Sequence, residues 1–202
     1  MSVAGRTASS SRVFIYFCYV FTVLLMMTSS APFICISTAV CALLHEAAHV
    51  LCARALGRRV HPISFSLTGL YPDLGSGSAL SCILIYAAGP VLNLLLCILC
   101  LLLLQCGYRE WLFELFCVNA VLAIYNLTPV PFSDGSGILR CFTGGLLGER
   151  VGGVLCTGLE LLFSFLFFVF FSFRFFYMGR GFFSFFCSFV FLMSSIQNAS
   201  AE

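Results

Sequence analysis

The chain has 202 residues, 61% of them hydrophobic and 9% charged, with a mean hydropathy of +1.07. Soluble domains carry about 25% charged residues, so this chain cannot cover its surface in water and reads as an integral, multi-pass membrane protein of one compact domain. The net charge of +2 rests on ten cationic residues, all arginine and all scattered. Without a basic stripe, nucleic acid is excluded as a partner.

An apolar run over residues 13–28 follows Arg6 and Arg12. Ser29-Ser30-Ala31-Pro32 behind it is a poor cleavage site, because proline follows directly. The run is therefore read as a retained first span. Pro32 suits a first helical turn, and a second span covers 33–56, ended by Gly57-Arg58-Arg59. Ile63, Phe65 and Leu67 then alternate with Ser64, Ser66 and Thr68, the period of a strand. Turn residues fill 71–77. This segment reads as a short strand and loop dipping into the membrane without crossing it.

A third span covers 79–105, with Gly89-Pro90 at its middle as a kink. The fourth, 111–127, stops before Pro129 and Pro131. Residues 132–150 are polar and glycine-rich, with a short helix starting near Gly137. The fifth and sixth spans, 151–173 and 181–196, are dominated by phenylalanine and offer no side chain for chemistry. The expected fold is thus all-α and polytopic, with about six transmembrane helices and a membrane-dipping β-strand after the second. One domain covers 1–202, with its core at about 33–140, the Phe-rich helices at 151–196 and no soluble regulatory domain.

Arginine placement orients the chain. With the N-terminus in the cytoplasm, Arg6, Arg12, Arg54, Arg58, Arg59, Arg140 and Arg150 fall on the inner side. Arg109, Arg174 and Arg180 fall outside. The twelve cysteines lie mostly in apolar runs and read as small packing residues, Cys82 included. Cys97 and Cys100 have CxxC spacing but neither a second pair nor an adjacent histidine.

The informative motif is His45-Glu46-Ala47-Ala48-His49 in the second span. HExxH sets two imidazoles on one helix face, four residues apart, as a zinc ion needs, with a glutamate beside them as base. Ionisable groups at membrane depth cost about 2.5–3.5 kcal/mol each on insertion scales and mark function. The motif falls in the cytoplasmic half of the span, His49 lying roughly 13 Å from Arg58 at 1.5 Å per residue.

A catalytic zinc takes three protein ligands and a water. His61, Asp73 and Asp134 are the candidates for the third ligand. His61 reads as a surface residue and Asp73 as part of a turn. Asp134 follows Pro129 and Pro131, which break the helix, and irregular backbone at membrane depth lines a wet or buried site. Asp134 is chosen. Glu46 would take a proton from water as it attacks a peptide carbonyl, then pass it to the leaving amine. Asn126 could hydrogen-bond the substrate backbone or the developing oxyanion. Two other readings compete. One is a metal transporter using His45, His49 and Asp134 as a transit site, and the other is a non-catalytic membrane scaffold. The first has no need of Glu46, and the intact HExxH argues against the second.

Three motifs together resemble the site-2 protease family of intramembrane zinc metalloproteases. They are His45–His49, then Gly89-Pro90 with Asn93, then Asn126 through Pro129, Pro131, Asp134 and Gly135. The resemblance implies one zinc ion on His45, His49 and Asp134, with Glu46 as base. It also implies substrate contacts near Asn126, Pro129 and Pro131, and a structural role for Gly89, Pro90, Asn93 and Gly135 near the site. Six spans with an early HExxH are most similar to the sporulation stage IV factor B branch, whose members trim the pro-sequence of a sigma factor. That similarity implies a multi-pass protein of the bacterial cytoplasmic membrane with its site toward the cytoplasm. Its substrate would be a membrane protein, and partner membrane proteins would regulate it in place of the branch's nucleotide-sensing tail.

Overall fold

The computed structural model describes residues 32–58, 78–179 and 181–200. They form helices α1 (Pro32–Ala55), α2 (Ala79–Gln105), α3 (Glu110–Leu127), α4 (Asp134–Leu147), α5 (Glu149–Met178) and α6 (Phe182–Ala199). Four stretches are long and apolar enough to cross a membrane: Phe33–Ala55, Ala79–Gln105, Glu110–Leu127 and Glu149–Met178. The expected first span and the expected strand at 63–68 lie outside the described residues, as do His61 and Asp73. No strand occurs among the described residues. The expected sixth span is a helix, but its apolar part, Ser184–Ala199, is shorter than the crossing helices.

Local chemistry sets the helix ends. Ser78 caps α2, its hydroxyl accepting the Ser81 N–H at 3.3 Å. Ser133 caps α4 in the same way, accepting from Ser136 N–H at 3.2 Å, so α4 starts at Asp134 rather than near Gly137. Pro90 lies inside α2, which continues on both sides of it. The 30 residues of α5 run past the expected end at 173. At 1.5 Å each they span about 45 Å, longer than a hydrocarbon core of about 30 Å, so α5 must tilt or protrude.

The helices pack in two groups. Helices α1, α2 and α3 pack against one another, and α5 pairs with α6. Helix α4 lies against α2 on one side and α5 on the other, bridging the groups. Leucine, phenylalanine and valine dominate the outer surface, with Leu51, Leu95, Val121, Phe170 and Phe176 among the exposed side chains. The interior carries small and polar groups instead: Ser37, Asn93, Asn119, Ser133, Thr157, Ser164 and Ser195 are buried, with cysteines Cys41, Cys97, Cys100 and Cys156. Lipid supplies no hydrophobic drive between helices, so close approach and interhelical hydrogen bonds must hold them.

Those bonds are specific. Asn119, on α3, donates its amide N–H to Leu115 O at 2.9 Å and approaches Cys41 Sγ, on α1, at 3.3 Å. Ser164 and Ser195 join α5 to α6 through their hydroxyls at 2.9 Å. Cys82 is not a packing residue: it is disulfide-bonded to Cys141 and ties the start of α2 to the middle of α4. The two thiols meet because α2 and α4 lie side by side, a contact that the chain order does not announce. Cys97 and Cys100 are buried free thiols. Arg140, counted in the sequence only as an inner-side charge, has a structural partner. It lies in α4 and pairs with Glu160 of α5 at 3.3 Å.

Helices α4 and α5 come close together at Gly152, where an added Cβ would stand 2.7 Å from the backbone of Thr143 and Gly144. Backbone cannot yield as a flexible side chain can. We expect Gly152→Ala to wedge the two helices apart at a cost of about 1–3 kcal/mol. A lowered midpoint of thermal unfolding in detergent would register it.

Candidate metal centre

His45 and His49 lie one turn apart on α1 and both are buried at 4% exposure, although α1 is otherwise largely exposed along its apolar sides. Their rings meet edge to face, with centroids 4.8 Å apart. Asp134, the first residue of α4, reaches across to them: its Oδ2 stands 2.9 Å from His45 Nε2 and 3.3 Å from His49 Nε2. Among the described residues, these three side chains form a group able to hold a metal ion, with ligand atoms all within 4.8 Å of one another. Histidines 45 and 49 and Asp134, chosen from the motifs, are thus brought together from two helices.

The loop before α4 makes this possible. After α3 ends, Pro129 and Pro131 withhold backbone donors, and Phe132 adopts a positive φ of 71°. That conformation is uncommon for a bulky residue. Ser133 ties the turn down. Its hydroxyl donates to Thr128 O at 2.6 Å or Val130 O at 2.9 Å and accepts from Val130 N–H at 3.3 Å. Gly135 then passes directly over the end of α3, where a Cβ would collide with the Leu127 carbonyl. It is a helical residue placed by close packing, not a turn glycine. Asp134 sits in the first turn of α4, where the helix dipole favours a carboxylate.

Helix α2 forms the back wall. At Gly89 an added Cβ would stand 2.5 Å from Nε2 of both His45 and His49. Only a glycine lets the ligands pack against α2 at that height. One turn on, Asn93 is fully buried, with its amide 3.1 Å from His45 Nδ1. His49 Nδ1 lies 2.7 Å from the Ile85 carbonyl oxygen. A carbonyl only accepts, so Nδ1 of His49 carries the proton and donates it.

The consequence is electrostatic. A neutral His49 then presents a bare Nε2 to the Asp134 carboxylate, so two acceptors face each other at 3.3 Å. Positive charge must lie between them, supplied by a metal ion or by a proton. His45 has both options. With the Asn93 N–H donating to Nδ1, Nε2–H donates to Asp134. With the amide turned over, its oxygen accepts from Nδ1–H and Nε2 is freed for a metal. Amide orientation follows from the hydrogen-bond network rather than from shape. Two imidazole nitrogens and a carboxylate oxygen suit zinc and similar divalent ions. Donor atoms in a tetrahedral shell of about 2.0–2.1 Å radius lie roughly 3.3 Å apart; the two imidazole-to-carboxylate spacings of 2.9 and 3.3 Å stand close to that value, and the full set, within 4.8 Å, would have to draw in around an ion.

Other expected residues stand around this centre or apart from it. Glu46 is exposed on α1 beside the ligands, close enough for its charge to act on His49. Pro90 is fully buried in α2 next to Gly89. Asn126 turns its amide N–H back to Leu122 O of its own helix at 3.0 Å. Among the described residues, no hydrogen bond joins Asn126, Pro129 or Pro131 to the three ligands; the two prolines shape the loop, Pro131 buried and Pro129 half-buried. The motifs did not disclose Ser133, Phe132 or Glu160. Glu160 carried a signal, being the lone carboxylate inside the Phe-rich span.

No protein-family profile, curated protein or solved structure matches this chain.

Two substitutions probe the wall behind the ligands. Gly89→Ala should abolish stoichiometric metal binding, because its methyl would take the space of both Nε2 atoms. Asn93→Leu should leave the fold intact but weaken metal affinity about 10–100-fold, the usual cost of losing a partner that orients a ligand. Metal content and a competition titration with a chelator would measure both.

Proposed function

We propose that this protein is an intramembrane zinc metalloendopeptidase that cuts a peptide bond in a transmembrane or membrane-associated protein. The observation that carries the reading is His49, whose Nδ1 is committed to the Ile85 carbonyl while its Nε2 faces a carboxylate. A buried pair of that kind, on a helix apolar enough to span a membrane, is what a resident cation would satisfy, in place of a proton shared between the two groups. The HExxH context, in which Glu46 precedes no other evident role, favours hydrolysis over transit. The resemblance to the site-2 protease family, on motifs spanning 45–135, points the same way.

In this proposal zinc, held by His45, His49 and Asp134, supplies Lewis acidity that polarises a carbonyl and acidifies water at the site. The protein's own residues do the rest. Glu46 accepts a proton from water and returns it to the leaving amine. Asn93 and Ile85 fix the two imidazoles, so the ligands need not reorganise as charge develops. Asn126 and the Pro129–Pro131 backbone offer polar groups to an unwound substrate. A substrate helix must open before cutting, because its carbonyls are already bonded within the helix, so helix-breaking residues near the cut would favour cleavage. On the arginine distribution of the sequence the site would face the cytoplasm, and regulated proteolysis of a membrane-bound factor is the function we propose for it.

The test compares wild type, Glu46→Gln and Asp134→Ala, purified in detergent, for bound zinc and for cleavage of a membrane-tethered reporter. Wild type should hold zinc and cut. Glu46→Gln should hold zinc and lose at least about a hundredfold in rate, the scale of general-base catalysis. Asp134→Ala should lose both. Cutting that survives Glu46→Gln would remove the proposed base.

A further inference from the structure

The Phe-rich helix α5 carries one buried carboxylate, Glu160, with its side chain 2% exposed. Its Oε1 receives a hydrogen bond from the Ser136 hydroxyl at 2.5 Å and one from Arg140 Nη2 at 3.3 Å, with Cys156 Sγ at 3.4 Å. Its Oε2 is buried without a hydrogen-bond partner. Ser136 and Arg140 both belong to α4, the helix whose first residue is Asp134.

The pair is the centre of a longer inlay. Along α4, Ser136, Arg140 and Thr143 recur at helical spacing. Along α5, Gly152, Cys156, Glu160 and Ser164 form one buried stripe at intervals of four. The two faces meet from Gly152 to Glu160: Arg140 also donates to Thr157 Oγ1 at 3.3 Å, Thr143 donates to Gly152 O at 3.1 Å, and Cys156 Sγ approaches Ser136 O at 3.7 Å. A carboxylate in the middle of an apolar helix is expensive, and here its contacts go to the ligand-bearing helix.

We propose that Glu160 is a positioning residue for the metal centre, latching the N-terminal turn of α4 so that Asp134 stays within reach of His45 and His49. The proposal rests on the metal reading of those three side chains. Ser136 is two residues from Asp134, so the latch acts within the same helical turn. It does what hydrophobic burial cannot do in lipid, where apolar faces gain nothing by choosing each other over acyl chains. Glu160 touches neither the metal ligands nor substrate; its effect passes through Ser136 and the helix.

Glu160→Met removes the acceptor while keeping bulk, and Glu160→Gln keeps an acceptor oxygen without the charge. Full-length variants in detergent would be titrated with Co2+, followed by its visible absorption. Amide hydrogen exchange would be measured in parallel over 134–143. Glu160→Met should bind Co2+ about tenfold or more weakly, with an altered spectrum, and exchange faster over 134–143. Glu160→Gln should fall between it and wild type. Ser188→Ala, which deletes a buried hydroxyl bonded to Phe185 O on α6, should match wild type in both readouts.

Wild-type Co2+ affinity and exchange in Glu160→Met would overturn the latch, as would an equal loss in Ser188→Ala. If Glu160→Met does not fold, Ser136→Ala decides: weaker Co2+ binding supports the latch and unchanged binding refutes it. A wild-type protein that takes up no Co2+ would remove the metal reading itself, while faster exchange in Glu160→Met would still show the helix to be held by Glu160.

Discussion

Everything in this structure turns on bringing one carboxylate against two imidazoles from a different helix, with nothing but small residues allowed between. His45 and His49 are fixed by the period of α1. Asp134 is not: it lies 85 residues along the chain from His49 and arrives on a separate helix. Gly89 marks how tight the meeting is, since even a methyl there would occupy the ligands' space. The packing of α1 and α2 is therefore tightly constrained at this point.

The way the helices are held reflects their solvent. Leucine and phenylalanine face outward, and serine, threonine, asparagine, cysteine and glycine face inward. Interhelical hydrogen bonds in membranes average only about 0.6 kcal/mol each, so no single one fixes the bundle. The Ser136–Glu160–Arg140 cluster, the Thr143–Gly152 contact, the Asn119–Cys41 contact and the Cys82–Cys141 disulfide act by number and by placement. Three of the four bear on helices α2, α4 and α5, where the ligand-bearing helix must be held from both sides.

The sequence disclosed the parts of this arrangement that are local. Residues 79–105 and 111–127 read as apolar helices and form α2 and α3 within one residue of those limits. HExxH required only helical spacing, and the two prolines signalled an irregular segment before Asp134. Apart from Asp134 with the two histidines, pairings between distant segments were not legible. Cys82 looks like every other cysteine in an apolar run, and only the proximity of α2 and α4 distinguishes it. Glu160 was hidden by the phenylalanines around it, although its four-residue stripe with Gly152, Cys156 and Ser164 is periodic. Arg140 read only as a charge on the inner side because residues 132–150, short helix included, are too polar to resemble a helix packed against apolar spans. They are polar because that helix binds α5 through hydrogen bonds, while close packing and the Cys82–Cys141 disulfide hold it to α2.

Helix α4 thus has two duties that reinforce each other. It delivers Asp134, and it joins α1–α3 to α5–α6. Its entry is costly: Phe132 holds a positive φ of 71°, a kind of strain worth about 1–3 kcal/mol that persists only where the surroundings over-determine it. Ser133 pins the turn from within, Gly135 seats the helix on the end of α3, and the α5 stripe grips it from outside. A relaxed turn would carry Asp134 off its line to the imidazoles, and α4 would lose its seat against α2 with it. The strained backbone and the buried carboxylate of Glu160 are opposite ends of one constraint, the first aiming the ligand and the second holding the aim.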